Sequence, residues 1–352
     1  MQLEEAEAAR RREIAAKQRR RLSLAPDQVG DTSKMRANSI PGDGSPQDEG
    51  GSKRKLGLRV AYLSRRGVVP FNRNKVNQDR YVVADSIGGD EGISLFGVMD
   101  GHGEFGHLVA EFVKVNLPIH LSRQKALLRS DPYKAITLAV ERMCMALEEA
   151  QIEISFSGTT AVFGVLIDDV LYVANVGDSR CVLASIGAGA KTEVRALSND
   201  HKPSEPVERA RILQANGRVC PLPGHEGEDR GPDRVWLPDS DVPGLAMSRS
   251  IGDEVSRRVG VISIPEIIEH RITNKDLFAV WASDGVWEFL SNEEAVSAIL
   301  PYINDNPDES ARNLVQLAHK QWVQHEEVVD DITCVIVQFN ATPTALKQPG
   351  AK

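Results

Sequence analysis

Cysteine is scarce in this sequence, and the few cysteines are scattered. The 352 residues include Cys144, Cys181, Cys220 and Cys334, none of them in a Cys-x-x-Cys pair. This spacing argues against a zinc site and against a disulfide scaffold. Cys181 and Cys334 lie in apolar, strand-like runs and are predicted to be buried. Free thiols favour a reducing compartment, so we expect a cytoplasmic or nuclear protein.

Long apolar runs are missing as well. No stretch reaches the length of a membrane span, and the charged N-terminus has no apolar signal-peptide core. We therefore expect no transmembrane segment. No internal repeat is visible, and 352 residues are expected to form one large domain with tails.

Positive charge is in deficit and unevenly distributed. The chain has 42 Lys and Arg against 50 Asp and Glu, a formal net charge of −8. Residues 1–55 hold 12 basic and 9 acidic residues, a net +3, which leaves 30 against 41, or −11, for the rest. An acidic core suits a metal site but not a phosphate-rich polymer. We therefore expect no nucleic-acid binding, and an all-carboxylate nuclease is disfavoured.

Composition divides the chain into an arm, a domain and a tail. Residues 1–55 form a charged, low-complexity N-terminal arm, predicted to be helical over 3–24 and disordered over 25–55. The globular domain is predicted over 56–340, and 341–352 is a C-terminal tail.

The domain mixes runs of strands with pairs of helices. Strands precede Met99, and Asp131-Pro132 and Ser291 are typical helix starts. We predict helices over 104–122, 131–152, 203–216, 291–300 and 307–325, strands over 158–167, 170–184 and 332–339, and an irregular flap over 218–247. This order predicts an α+β protein in which two antiparallel β-sheets pack as a central sandwich flanked by pairs of helices.

One apolar run delivers a carboxylate, a glycine and a histidine to its end. The run from Phe96 to Met99 is followed by Asp100, Gly101 and His102. A carboxylate at a strand end is a rigid metal ligand, and histidine moves protons near neutral pH. Asp-Gly is also a common turn, so this segment alone leaves a plain turn open.

The same pattern, a carboxylate at the end of an apolar run, recurs along the chain. Carboxylates stand at the ends of four other strand-like runs, at Asp79, Asp178, Asp284 and the pair Asp330-Asp331. A single such Asp is more often a turn residue than a ligand. Several in one chain favour a shared acidic site, and oxygen-only ligands select Mg²⁺ or Mn²⁺.

These motifs resemble, in order, the metal-dependent protein serine/threonine phosphatase family (PPM, type 2C). The resemblance runs from Leu58 to Phe339 and implies the type 2C phosphatase fold over the 56–340 domain. The matching stretches are Asn77-Gln78-Asp79, Val98 to Gly103, Ser157-Gly158-Thr159-Thr160, Asn175 to Arg180, Pro243 to Asp253, Ala282 to Trp287, and Asp330 to Thr333.

The resemblance implies two Mn²⁺ or Mg²⁺ ions. Asp100 would bridge both ions, and the Gly101 carbonyl would bind one of them. Asp284 and Asp331 would bind the other ion, with Asp79 close by. Structural or second-layer roles are expected for Asp178 and Asp253, as for the motif's Ser and Thr hydroxyls.

The implied chemistry is hydrolysis of phosphoserine and phosphothreonine monoesters in phosphorylated protein substrates. A hydroxide bridging the two ions would attack phosphorus, and His102 would protonate the leaving oxygen as general acid. Two alternatives stay open. In the first alternative, His102 is a plain turn residue. In the second, the protein is a catalytically weak or inactive family member that acts as a metal-stabilised phosphoprotein- or kinase-binding module.

The sequence departs from the family pattern around the predicted site. Asn74 stands where the family often has a phosphate-gripping Arg, so its neighbours Arg73 and Lys75 are predicted to bind the substrate phosphate. Gln78 replaces a usual Glu. Ser155 replaces an Asp that helps to hold a third metal ion, so a third ion is in doubt.

The arm contains Arg20-Arg21-Leu22-Ser23, a pattern that basophilic kinases read. Phosphorylation of Ser23 by such a kinase and a solvated basic arm are both consistent with it. We expect the protein to be a monomer.

Restoring the missing carboxylate tests the third ion. We expect Ser155→Asp to raise the turnover of a phosphopeptide at saturating Mn²⁺, because a carboxylate binds a divalent cation far better than a hydroxyl does. Steady-state rates of the variant and wild type provide the measurement, and unchanged turnover contradicts the idea.

Overall fold

The computed structural model describes residues 38–39, 57–70, 72, 75–223 and 229–339. The predictions for the helical arm, Ser23, Arg73, Asn74 and the C-terminal tail lie outside the described residues. Inside the stretch predicted as a disordered linker, the structure assigns a two-residue strand, Asn38–Ser39.

Two antiparallel sheets form the centre of the domain. The first contains, in spatial order, β1 (Asn38–Ser39), β2 (Leu58–Arg65), β17 (Ile332–Phe339), β16 (Asp276–Ala282), β9 (Arg180–Ile186) and β10 (Thr192–Ala196). The second contains β15 (Glu266–Arg271), β8 (Val170–Val176), β7 (Ala161–Ile167), β4 (Ile93–Met99) and β3 (Arg80–Ala84). The predicted fold class is confirmed.

The central strands of both sheets are continuous apolar runs because both of their faces are covered. Successive side chains of a strand point to opposite faces. On β17, Val335 and Val337 pack between the sheets, while Cys334 and Ile336 pack beneath the helices. Trp281 on β16 fills the space between the sheets, where a side chain on Gly164 would collide with its ring.

Helices cover both outer faces of the sandwich. Over the five-stranded sheet lie α1 (Gly106–Arg123), α2 (Lys125–Ser130) and α3 (Pro132–Glu149). Over the other sheet lie α6 (Asp284–Trp287), α7 (Asn292–Ile299) and α8 (Pro307–His325). Among the described residues, no helix combines the length and the apolar character that crossing a membrane requires.

The predicted helix starts are confirmed by their caps. The Asp131 carboxylate accepts the backbone N–H of Lys134 at the start of α3. Ser291 and Glu294 form a reciprocal capping box at the start of α7. The predicted burial of Cys181 and Cys334 is also confirmed.

Two strand predictions were wrong. The run 170–184 is not one strand, because β8 ends at Val176 and Gly177 turns the chain with a positive φ of 108° before β9 begins. The run 158–167 divides into β6 (Gly158–Thr159) and β7. The strand β6 joins β5 (Gly101–His102) and β14 (Ile251–Gly252) in a small separate sheet.

The prediction of an irregular flap over 218–247 was also wrong. This segment contains an antiparallel sheet of β11 (Arg218–Pro223), β12 (Asp229–Trp236) and β13 (Pro243–Leu245). Its apolar side chains, among them Val219 and Val235, pack on Ile212 of α4 (Pro206–Gln214). The strands depend on this apolar packing, which the high local Gly, Pro and Asp content concealed.

A buried carboxylate ties α4 to the segment that follows the flap. Glu208 accepts hydrogen bonds from Arg211, Arg249 and the Ser248 hydroxyl. Burial alone would raise the pKa of Glu208, but these donors outweigh it, so the pKa lies well below its usual range. The cluster fixes the start of the segment that continues to Asp253, the residue directly before the short α5 (Glu254–Arg257).

We expect Glu208→Gln to destabilise the protein by on the order of 3 kcal/mol at pH 7, because two arginines lose a buried counter-charge. A lowered folded-state pKa gives stability that is present above the unfolded carboxyl value of about 4.3 and is lost as the pH falls toward the folded value. The difference from wild type should therefore narrow between about pH 5 and pH 3.

Urea unfolding at several pH values measures this difference. The exposed neighbour Glu205→Gln is the matched control and should change stability little. A pH-independent difference, or equal effects of the two variants, contradicts the interpretation.

Candidate active site

The predicted ligand Asp100 is fixed by its backbone at the end of β4. Its N–H donates to the Thr160 hydroxyl over 3.1 Å, and its carbonyl accepts the Thr160 N–H over 2.8 Å. The Thr160 hydroxyl in turn lies 2.7 Å from the Ser179 hydroxyl. The Thr and Ser of these motifs thus act as scaffold, and they hold the Asp100 backbone in place.

Asp79 reaches the same place from the start of β3. Its side chain is 2% exposed and accepts a hydrogen bond of 2.8 Å from the Ser283 hydroxyl. Ser283 directly precedes Asp284, so this bond joins two of the predicted site segments. Burial and the nearby Asp331 carboxylate raise the pKa of Asp79 to about 7.

Asp331 stands just before β17 and is held by backbone donors. One carboxylate oxygen accepts the Gly67 N–H over 2.7 Å, and the other accepts the Gln78 N–H over 2.8 Å. The Lys75 ammonium lies 2.7 Å from Asp331 Oδ1 and 3.7 Å from Asp330 Oδ1. The residue predicted to grip phosphate thus contacts a predicted metal ligand.

Asp100 and Asp284 face each other within the buried cluster. Burial raises the pKa of Asp100 well above its usual value, and the neighbouring Asp284 and Asp79 carboxylates raise it further. Burial, then Asp178, likewise raises the pKa of Asp284. Asp284 Oδ1 is buried and has no hydrogen-bond partner.

Gly101 allows the close packing behind these carboxylates. A Cβ at this position would lie 2.4 Å from the Gly106 carbonyl oxygen and 2.8 Å from that of Gln78. Only glycine lets the turn after β4 pass so near the first turn of α1.

The cluster has the chemistry of an oxygen-ligand metal site. Buried carboxylates that repel one another, one with an unpartnered oxygen, are what a divalent cation would stabilise. Within the described ranges, no three acidic, His or Cys side chains already converge as a metal cage. The donor set of carboxylate oxygens, one of them buried without a partner, nevertheless fits Mg²⁺ or Mn²⁺.

His102 lies at the rim of the cluster. Its Nε2 is 2.6 Å from Asp253 Oδ2, and its Nδ1 is buried without a hydrogen-bond partner. Burial opposes protonation, but Asp253, and after it Asp178 and Asp284, outweigh burial and raise the pKa of His102.

Sequence reasoning missed the partners of these residues. It gave Asp253 only an indirect role, and it did not name Lys202, whose ammonium lies 2.5 Å from Asp178 Oδ2. Both contacts join segments far apart in the chain. The available signal was Asp253 itself, a carboxylate directly after Gly252 at the end of a matched motif.

Ser155 stands where the family often has an Asp, and its backbone forms a hydrogen bond with a nearby side chain. The Ser155 N–H donates to Glu153 Oε1 over 3.0 Å. This carboxylate therefore already has a backbone partner.

Comparison with known proteins identifies the family. The family model described as Protein phosphatase 2C matches residues 72–326. The chain is 38% identical over 317 residues to "Probable protein phosphatase 2C 48" of Oryza sativa subsp. japonica, covering 81% of this chain and 85% of that protein. It is 36% identical over 291 residues to "Probable protein phosphatase 2C 35" of Arabidopsis thaliana, covering 79% and 82%.

The fold has a solved counterpart. The crystal structure of serine-threonine phosphatase 2C from Toxoplasma gondii aligns with a TM-score of 0.70 at 21% identity, covering 87% of this chain and 99% of that one. The matched family model and the curated relatives describe protein phosphatases, which are hydrolases. The chain belongs to the protein phosphatase 2C family.

The repulsion within the cluster predicts how stability responds to metal. Asp284→Asn removes one buried charge, so we expect the metal-free variant to be more stable than metal-free wild type, by on the order of 1 kcal/mol. We also expect Mn²⁺ to raise the melting temperature of wild type clearly more than that of the variant.

Thermal unfolding with EDTA and with Mn²⁺ measures both effects. Asp305→Asn, an exposed aspartate in the loop before α8, is the matched control and should behave as wild type. Equal Mn²⁺ responses of Asp284→Asn and wild type contradict the assignment.

Proposed function

We propose that this protein is a protein serine/threonine phosphatase that hydrolyses phosphoserine and phosphothreonine monoesters and depends on Mn²⁺ or Mg²⁺. The observation that carries the proposal is the cluster of four aspartates from separate strand ends beside His102: Asp79 and Asp331 are buried, and Asp100 and Asp284 are half-buried. Neighbouring carboxylates that repel one another cost stability, so their proximity indicates a purpose other than folding.

The residues proposed to hold two ions are Asp100 and Gly101 for one and Asp100, Asp284 and Asp331 for the other. Asp79 would support them from the next layer. Bound there, the ions would neutralise the phosphate dianion and activate water for attack on phosphorus. We expect a third ion to bind weakly or not at all, because Ser155 offers only a hydroxyl.

The protein's own groups set the orientation of these ligands. The Gly67 and Gln78 amides fix both oxygens of Asp331, and the Ser283 hydroxyl fixes Asp79. Ligands already aligned by hydrogen bonds lose little freedom when they bind an ion, which favours tight and geometrically defined binding.

Lys75 is proposed, with Arg73, to contact the substrate phosphate. The Lys75 side chain is 16% exposed and borders Asp331, so its ammonium group can exchange a carboxylate oxygen for a phosphate oxygen. A lysine offers a point charge there and not the two-pronged contact of an arginine.

His102 is proposed to be the general acid. The leaving serine or threonine oxygen is a poor leaving group unless it receives a proton as the bond to phosphorus breaks. His102 stands at the rim of the cluster, and neighbouring carboxylates favour its protonated form.

A second candidate function is a catalytically weak member that binds phosphoproteins or kinases. The ion pair between Lys75 and Asp331 favours it, because an ammonium group there competes with a metal ion for one ligand. Phosphorylated proteins are the partners in both cases. A monomeric state, a cytoplasmic or nuclear location and phosphorylation of Ser23 stay predictions.

A phosphatase assay separates the two functions. We expect wild type to release phosphate from a phosphothreonine peptide with Mn²⁺ and to stop in EDTA. Asp100→Ala should lose at least about 100-fold in kcat/KM, because it removes the proposed bridging ligand. Asp305→Ala is the control and should retain full activity. If wild type releases no phosphate at any Mn²⁺ or Mg²⁺ concentration, the proposed enzymatic function is contradicted and the binding module is favoured.

A further inference from the structure

We propose that Asp253 is the positioning residue of His102: it holds the ring by Nε2, so that Nδ1 is the nitrogen that carries the proton for the leaving oxygen. The inference rests on the proposed phosphatase function and names a residue that the reaction needs without touching the substrate. Its basis is the contact of 2.6 Å between His102 Nε2 and Asp253 Oδ2, made across a small sheet.

The small sheet aligns the two residues. In its central strand β6, Gly158 pairs with His102 of β5 on one side and with Gly252 of β14 on the other. Asp253 follows Gly252 directly. The register therefore fixes how far the imidazole is from the carboxylate, although 151 residues separate them in the chain.

Gly158 keeps the space between them open. A Cβ on Gly158 would lie 2.2 Å from Asp253 Oδ2 and 2.8 Å from His102 Nε2. Any side chain at this position would occupy the place where the two groups meet. The glycine of the Ser-Gly-Thr-Thr motif thus has a specific task in the site, which is to let the ion pair form over it.

Asp253 is itself held firmly. Its side chain is 1% exposed, and its Oδ2 also accepts the Ser250 hydroxyl over 2.5 Å. Its N–H donates to the Ser157 carbonyl, and its backbone is left-handed, with a φ of 48°. Asp and Asn tolerate this conformation better than other side chains with a Cβ do. A strained, buried carboxylate with this fixed direction indicates a functional constraint.

The contact between His102 and Asp253 determines which ring nitrogen carries each proton when the leaving oxygen is protonated. Protonated His102 donates Nε2–H to Asp253 and carries the transferable proton on Nδ1, which is buried and has no protein partner. For this transfer, the leaving oxygen must reach this nitrogen when the substrate binds. As the bond between phosphorus and the leaving oxygen breaks, the Nδ1 proton moves to that oxygen. The ring is left neutral with Nε2–H still bound to Asp253, which remains a carboxylate.

The test compares two leaving groups. A phosphothreonine peptide releases an alkoxide that needs a proton, whereas p-nitrophenyl phosphate releases a stable phenolate that does not. We expect Asp253→Asn to lower kcat on the phosphopeptide roughly 10- to 100-fold and kcat on p-nitrophenyl phosphate by less than about 3-fold. The change keeps size and tolerates the left-handed backbone. The exposed neighbour Glu254→Gln is the matched control and should leave both rates unchanged.

A double-mutant cycle with His102→Asn completes the experiment. We expect the double variant to be no slower on the phosphopeptide than His102→Asn alone, because Asp253 acts only through His102. Ser250→Ala, which keeps the carboxylate but removes one of its anchors, should show a smaller loss on the same substrate. It serves in place of Asp253→Asn if that variant does not fold.

Equal losses on both substrates, or additive losses in the double variant, overturn the inference. A wild-type enzyme that acts on neither substrate with Mn²⁺ overturns the proposed function instead. The two failures are therefore distinguishable.

Discussion

The mutual repulsion of buried carboxylates is the constraint on which the rest of this structure depends. Asp79 is buried, Asp100 and Asp284 are half-buried beside it, and burial and proximity raise the pKa of each. Only opposite charge can stabilise their ionised forms. The described structure supplies ammonium groups at the border, from Lys75 at Asp331 and from Lys202 at Asp178, and leaves Asp284 Oδ1 unpaired at the centre. A divalent cation would complete this arrangement.

The sandwich can carry such a cluster because the apolar layers of the sandwich, and not the cluster, make the domain rigid. Three apolar layers, one between the sheets and one under each helical face, are formed by strands buried on both sides. The turns at one end of these strands then carry the acids and the backbone amides that orient them. The small sheet of β5, β6 and β14 adds a second level of order, since it brings His102 and Asp253 together next to the cluster.

Local signals in the sequence predicted much of this. The apolar run of β17 was placed over 332–339, the bounds that the structure has, and the Ser291 cap was identified from its neighbours. The ligand candidates were found because a carboxylate at the end of an apolar run is a local pattern. The strands of 218–247 were not predicted. The ion pairs of Lys75 with Asp331 and of Asp253 with His102 were not predicted either. The ion pairs join segments that are distant in the chain, and the strands depend on packing against α4, so neither was encoded in the local composition.

The central claim is that this carboxylate cluster is a binding site for two divalent cations. Calorimetric titration of the metal-free protein with Mn²⁺ tests it most directly. The account predicts about two tightly bound ions per chain for wild type, as two-metal phosphatase sites require, with the tight binding lost in Asp100→Asn. Absence of tight binding in wild type, or an isotherm that Asp100→Asn leaves unchanged, would contradict it.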